Sequence, residues 1–180
     1  MSYATIPPMA SILYAVDIPD SGGDTYFCNM EKAYDDLDLT QKEFLKTLKA
    51  IHSYEASFQG ITSANKNRGT LTFEQKKLLN EVVHPVIRTH NQTKKKSIYI
   101  NPGFTKEIEN KSKSQSKEIL SKIFNHCLNQ KYIFKFKWEK NDIVIWDNSS
   151  VLHHASEYDK SQIRHMLRTT VRGSKPYFED

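Results

Sequence analysis

YIFKFKWEKNDIVIWDNSSVLHH, residues 132–154, decides the fold class. Tyr132 to Trp138 alternates, with Lys135 and Lys137 on one face, which predicts a half-exposed strand. Asp142 to Trp146 (DIVIW) predicts another, closed by the polar corner Trp146-Asp147-Asn148. His153 and His154 follow, and adjacent residues of a strand point to opposite faces, so only one of them can face inward.

The same short-strand pattern extends outward from this stretch. Upstream, Ala10 to Ile18 is an apolar, β-branched run that ends at Pro19-Asp20-Ser21-Gly22-Gly23, and Thr25 to Cys28 is a short strand after that turn. Val82 to Arg88 and Ser97 to Asn101 read as strands around a lysine-rich turn, and Ile163 to Gly173 reads as the last strand. Helical spacing is confined to three places. Met30 to Leu37 is one. Thr40 is expected to cap Gln41 to His52, with Glu43 completing a capping box and Phe44, Leu45, Leu48 and Ile51 on one face. Ser114 or Ser116 is expected to cap a helix through Asn129 that buries Ile119, Leu120, Ile123, Phe124 and Cys127. Gln59 to Thr72 reads as a long surface loop. Seven or so strands with two or three helices, and no regular βαβ alternation, predict a mainly β fold with helical insertions, an antiparallel sandwich or barrel.

A length of 180 residues suits one domain, residues 1–180, with a real core. No stretch reaches the roughly 18 apolar residues of a membrane span, and no basic-then-apolar leader opens the chain. Two cysteines, Cys28 and Cys127, are too few for a disulfide framework and read as thiols in a reducing compartment, so the cytoplasm is the expected location. The net charge of +5 comes mostly from lysines such as Lys94-Lys95-Lys96, Lys111, Lys113, Lys117 and Lys122. Such runs usually form solvated faces, and without interleaved Arg and aromatic residues no nucleic-acid partner is expected.

Chemistry is concentrated in three features: the Trp146-Asp147-Asn148 corner with His153, the pair Arg164 and Arg168, and the turn Gly22-Gly23-Asp24-Thr25. On a strand Arg164, Met166, Arg168 and Thr170 share one side, and arginines turned inward need anions. Taken singly, each feature has an ordinary reading. A histidine is more often structural than a ligand, and the arginines could pair with Glu157, Asp159 or Glu179.

Taken in order, they are more specific. Gly22-Gly23-Asp24-Thr25, then HPVIRTH (84–90), IYINPGFT (98–105), NDIVIWDN (141–148), His153, and Arg164 eleven residues later resemble the taurine dioxygenase family of Fe(II)- and 2-oxoglutarate-dependent enzymes over nearly the whole chain. The resemblance implies a double-stranded β-helix (a jelly roll). It implies a site in which two histidines and a carboxylate hold Fe(II), with His153 as the distal histidine. Arg164 would grip the far carboxylate of 2-oxoglutarate, with the Thr25 hydroxyl supporting it. Arg168 would bind the anionic group of the substrate, a sulfonate in the taurine enzymes, and Asn101 and Phe104 would line the substrate pocket. Molecular oxygen and a small organic anion would be consumed, with succinate and carbon dioxide as coproducts. No residue of the chain is assigned a catalytic role of its own.

The chain departs from the family in one respect. The family's other two iron ligands come from His-x-Asp, followed by a variable residue, a Ser or Thr and an aromatic. Ser2-Tyr3 match that ending, while no His-x-Asp or His-x-Glu occurs in the sequence. The resemblance therefore implies an N-terminally incomplete jelly roll, the C-terminal two-thirds of such a domain, inactive by itself. Two alternatives follow: a pseudoenzyme that binds anions without iron, or a subunit whose open edge pairs with another chain, a homo-oligomer included.

Overall fold

Strand β1 (Ala10–Asp17) is central, because both of its edges are paired by strands from the far end of the sequence. In this computed structural model, which describes residues 1–54, 72 and 80–180, β9 (Ile143–Asp147) and β11 (His165–Val171) flank it antiparallel. The register places Ser11 opposite Trp146 and Thr170, and Leu13 opposite Val144 and Arg168. Those side chains share one face. The other carries Ile12, Tyr14, Ile143, Ile145 and Leu167.

The inner face meets a second sheet, ordered β10 (Val151–Ala155), β2 (Thr25–Asn29) and β8 (Ile133–Phe136). Its Phe27 ring lies 5.3 Å from Trp146 of β9. Because His153 pairs with Phe27 and His154 with Tyr26, His153 faces inward and His154 outward. A third sheet joins β4 (Val82–Pro85), β3 (Lys49–His52) and β7 (Thr105–Ile108), and β5 (Ile87–Thr89) with β6 (Lys96–Ile98) forms a hairpin. All of these pairings are antiparallel. The mainly β reading with helical insertions therefore holds.

Three α-helices lie among the described residues: α1 (Met30–Asp35), α2 (Leu39–Lys46) and α3 (Lys113–Cys127). Two helix boundaries differ from the sequence reading. The cap of α2 is Asp38 and not Thr40: its carboxylate accepts from Gln41 N at 2.7 Å, and Gln41 returns a bond to Asp38 N. The helix also stops at Lys46. Lys49–His52 is a strand with Ala50 and His52 buried, since Leu48 and Ile51 fit a strand entry as well as a helical face. Ser112, not Ser114 or Ser116, caps α3 through a box with Gln115, while Ser116 is buried and bonds Ile108. The run Val82 to Arg88 divides into β4 and β5, and the expected loop from Gln59 falls, apart from Thr72, outside the described residues.

Leu120, Ile123 and Cys127 of α3 pack with Met30, Ala33, Ile98 and Ile108 in the core, and Ile119 and Phe124 lie at its margin. The two cysteines are free and buried, and the Cys28 thiol donates to the Cys127 carbonyl at 3.0 Å. The lysines at 111, 113, 117 and 122 are exposed, as a solvated helix face requires. No helix among the described residues is long and apolar enough to cross a membrane.

The outer face of the β1 sheet is uncovered among the described residues, with Ile143 65%, Ile145 64% and Leu167 54% exposed. Replacing Ile145 by Thr is therefore expected to change stability by no more than about 0.5 kcal/mol. Ile108→Ala, at a 1% exposed core site, is expected to cost roughly 2–5 kcal/mol. Urea unfolding of both variants checks the contrast, and equal losses would mean the outer face is packed.

Candidate functional site

His153 is placed by Trp146 of the facing strand β9. The Trp146 ring lies 4.8 Å from the imidazole, and the Trp146 indole N–H donates to His153 Nδ1 at 3.2 Å. By surface area His153 is exposed, because its free edge meets a cavity, while Trp146 walls off its other side. Burial on that side is the leading cause that lowers its pKa to about 4, and the Arg168 charge adds to it. The ring is therefore neutral at neutral pH.

Arg168 lines the same cavity, together with Asn101, His52, Tyr99 and Asn148. Its guanidinium donates from Nη2 to the buried Ser11 hydroxyl at 3.2 Å, and Asn148 donates to the same oxygen at 3.0 Å. The volume is about 50 Å3, room for little more than one or two water-sized occupants.

Thr25 lies on the inner face two residues from Phe27, the partner of His153. It is 3% exposed, and its hydroxyl accepts from the Trp138 indole at 2.9 Å, which leaves its own hydrogen free to donate to an anion. Arg164 precedes β11 at the point where a bulge in β1, between Ala15 and Asp17, breaks the register. It donates from Nη2 to the Gly23 carbonyl at 3.1 Å. Gly23 has a φ of +70°, and a Cβ there would come within 3.0 Å of Arg164 Nε, so glycine is what lets the turn and the guanidinium touch. Neither arginine pairs with Glu157, Asp159 or Glu179. Arg164 and Thr25 thus belong to one end of the inner face, and His153, Arg168 and Asn101 to the other.

Asn101 and Phe104 line one cavity with His153. Asn101 also reaches the small cavity beside Arg168, while its side-chain oxygen accepts from Gly103 N at 2.7 Å. Phe104 does not line that small cavity. Its ring packs against Tyr3 at 5.0 Å and Tyr54 at 6.5 Å, and together with Asn101 and His153 it lines a neighbouring cavity of about 590 Å3 whose other walls include Tyr26, Leu152 and His154.

Three positioning residues were missed in the sequence. Trp138 holds Thr25, and its partner is 113 positions away, so no local pattern shows it. His52 and His84 have rings 5.2 Å apart and clasp the first residues: His52 Nδ1 lies 3.0 Å from Ser2 Oγ, and His84 Nε2 donates to the Ala4 carbonyl at 3.1 Å. The signal for His84 was the HPVIRTH run; His52 left none.

The donors do not complete a metal site. No group of three His, Cys, Asp or Glu side chains able to hold an ion occurs among the described residues. Asp147, the carboxylate of the corner that precedes His153, is committed elsewhere. It accepts from Ser149 N and the Ser150 hydroxyl, both at 2.7 Å, and lies 3.1 Å from His90 Nε2. His153 is the one expected ligand present, and one imidazole does not hold Fe(II).

The sequence profile described as "Taurine catabolism dioxygenase TauD, TfdA family" matches residues 1–170. The chain belongs to this family. It is 31% identical to the alpha-ketoglutarate-dependent sulfonate dioxygenase of Saccharomyces cerevisiae, over 98% of this chain and 42% of that protein. It is 32% identical to the alpha-ketoglutarate-dependent 2,4-dichlorophenoxyacetate dioxygenase of a Burkholderia species, over 92% and 54%. Among solved structures, that of AAD-2 in complex with Mn(II) and N-oxalylglycine superposes with a TM-score of 0.86 at 30% identity, covering 99% of this chain and 68% of that one. The chain thus spans about half the length of the curated relatives it matches.

The buried histidines make stability depend on pH. His52 is lowered to about 3 by burial first and then by His84, and His84 is lowered by burial. Unfolded, each would take up a proton near pH 6.5, while the folded rings stay neutral. For His52, stability is therefore full above about pH 6.5 and falls as the pH drops toward 3, by up to about 1.4 kcal/mol per pH unit, and His84 adds a loss of the same sign. Urea unfolding at pH 7 and pH 5 is expected to show a smaller loss for His52→Gln than for the unaltered chain. An equal loss in both would exclude His52 as a source.

Proposed function

We propose that this chain supplies the 2-oxoglutarate-binding and substrate-anion-binding part of an Fe(II)-dependent dioxygenase that hydroxylates a small organic anion, a sulfonate or an aryloxy or alkyl acid, giving succinate and carbon dioxide. The observation that carries this reading is one inner face holding His153, Thr25 and, at the turn before Thr25, Arg164. The Arg164 fork would take the far carboxylate of 2-oxoglutarate, with Thr25 donating a second bond while Trp138 fixes its oxygen. Arg168 would take the anionic group of the substrate, oriented by Ser11, with Asn101 beside it. Trp146 keeps the His153 ring in place. Two antiparallel sheets facing each other across Phe27 and Trp146 support reading the barrel as a double-stranded β-helix. Since the described donors do not form an iron site, no chemical step is assigned to the metal.

A second reading, an anion-binding module without iron, is favoured by the absence of three clustered metal donors among the described residues. Succinate formation by the protein isolated from its source separates the two readings. Iron-dependent succinate supports the dioxygenase, and none, with 2-oxoglutarate still bound, supports the module.

Calorimetric titration of this chain with 2-oxoglutarate in EDTA tests what both readings share. Binding is expected without metal, weakened at least tenfold by Arg164→Gln and several-fold by Trp138→Phe. Binding that Arg164→Gln leaves intact would sink the assignment of the carboxylate site.

A further inference from the structure

Among the described residues, Arg88 is the most deeply buried charge that none of these roles uses. It sits in β5 at 2% exposure, opposite Ser97, with its guanidinium 5.0 Å from the centre of the Tyr99 ring. Its Nε has no hydrogen-bond partner, and no carboxylate among the described residues is ion-paired with it. Tyr99 is only a partial partner: burial raises its phenol, and Arg88 opposes that rise without neutralising any charge. Asp147, the carboxylate that acts on the same Tyr99, is occupied by His90, Ser149 and Ser150. Removing a guanidinium from water without a counter-charge is costly, and a protein normally offsets it with an anion.

The space for that anion is present. Arg88 lines a cavity of about 210 Å3 whose other walls are Arg172, Asn91, Gln92, Ser149 and Ser174, with Met9 as its one apolar side chain. Arg172 is exposed and also has no carboxylate partner among the described residues. Ser149 separates this cavity from the one that holds His153, and neither Arg88 nor Arg172 reaches that one.

The geometry points to a second anion site at Arg88 and Arg172, which takes a small tetrahedral oxyanion such as sulfate or phosphate. Two guanidinium groups supply the charge, and amides and hydroxyls on several walls suit four oxygens better than the two of a flat carboxylate. The site stands apart from the residues assigned to 2-oxoglutarate and substrate, and does not rest on that reading.

The test is thermal unfolding of the full chain in rising sodium sulfate, with ionic strength held constant by sodium chloride. The unaltered chain is expected to show a Tm rise that saturates. Arg172→Gln, at an exposed position that leaves the core intact, is expected to move half-saturation at least tenfold higher, and Arg168→Gln to leave it unchanged. Arg88→Met, where it folds, is expected to abolish the saturating part. A rise linear in sulfate and equal in Arg172→Gln would be surface exclusion of the salt and would overturn the site. A saturating rise lost in Arg168→Gln and kept in Arg172→Gln would place the anion beside His153 and overturn it equally.

Discussion

The register of β1 between β9 and β11 governs every chemical feature of this chain. Leu13 stands opposite both Arg168 and Val144, and Ser11 opposite both Trp146 and Thr170. Because side chains alternate with a period of two, a slip of one residue would turn Arg168 and Trp146 outward together. His153 would then lose the indole that orients it, and the cavity its guanidinium. The bulge between Ala15 and Asp17 is the one irregularity in that ladder, and it releases Arg164 toward Gly23 and the Thr25 end of the inner face.

Charge is distributed unevenly in this interior. Arg164, Arg168 and Arg88 all point away from carboxylates, and their contacts are the Gly23 carbonyl, the Ser11 hydroxyl and the Tyr99 ring. Neutral acceptors fix the direction of a guanidinium without cancelling its charge, so each stays available to an anion. The buried Asp24 carboxylate meets Lys135 and Asp147 meets His90, while on the surface Lys140 meets Asp17 and Lys122 meets Glu118. Exposed pairs of this kind contribute little to stability. His52 and His153 add no charge at neutral pH, since burial holds both rings neutral.

Local order was readable in the sequence, and distant pairing was not. The apolar run at Ala10 to Ile18 and the alternation at Tyr132 to Trp138 announced strands because period two is a property of neighbouring residues. Gln41 to His52 misled, since Leu45, Leu48 and Ile51 satisfy helical spacing, while the third sheet recruits Lys49–His52 for a pairing that only the fold supplies. His153, Arg164 and Thr25 were legible through the order of motifs along the chain. Trp138 was legible as a strand residue only. Asn101 and Phe104, three positions apart in the sequence, line one cavity with His153 in space, although only Asn101 also reaches the small cavity beside Arg168.

The pairing of Ala10 with Val171 also bears on how the chain is made. A ribosome adding about 5–20 residues per second needs on the order of ten to thirty seconds between those two positions. Until β9 is made at Ile143–Asp147, which takes most of that interval, β1 has neither of its strand partners, and its two hydrogen-bonding edges stay open. Contacts this distant also close slowly after release, because the entropy of the intervening loop is lost before the pairing forms. Among the described strands, nascent β1 is therefore the one for which a chaperone has the longest time to compete.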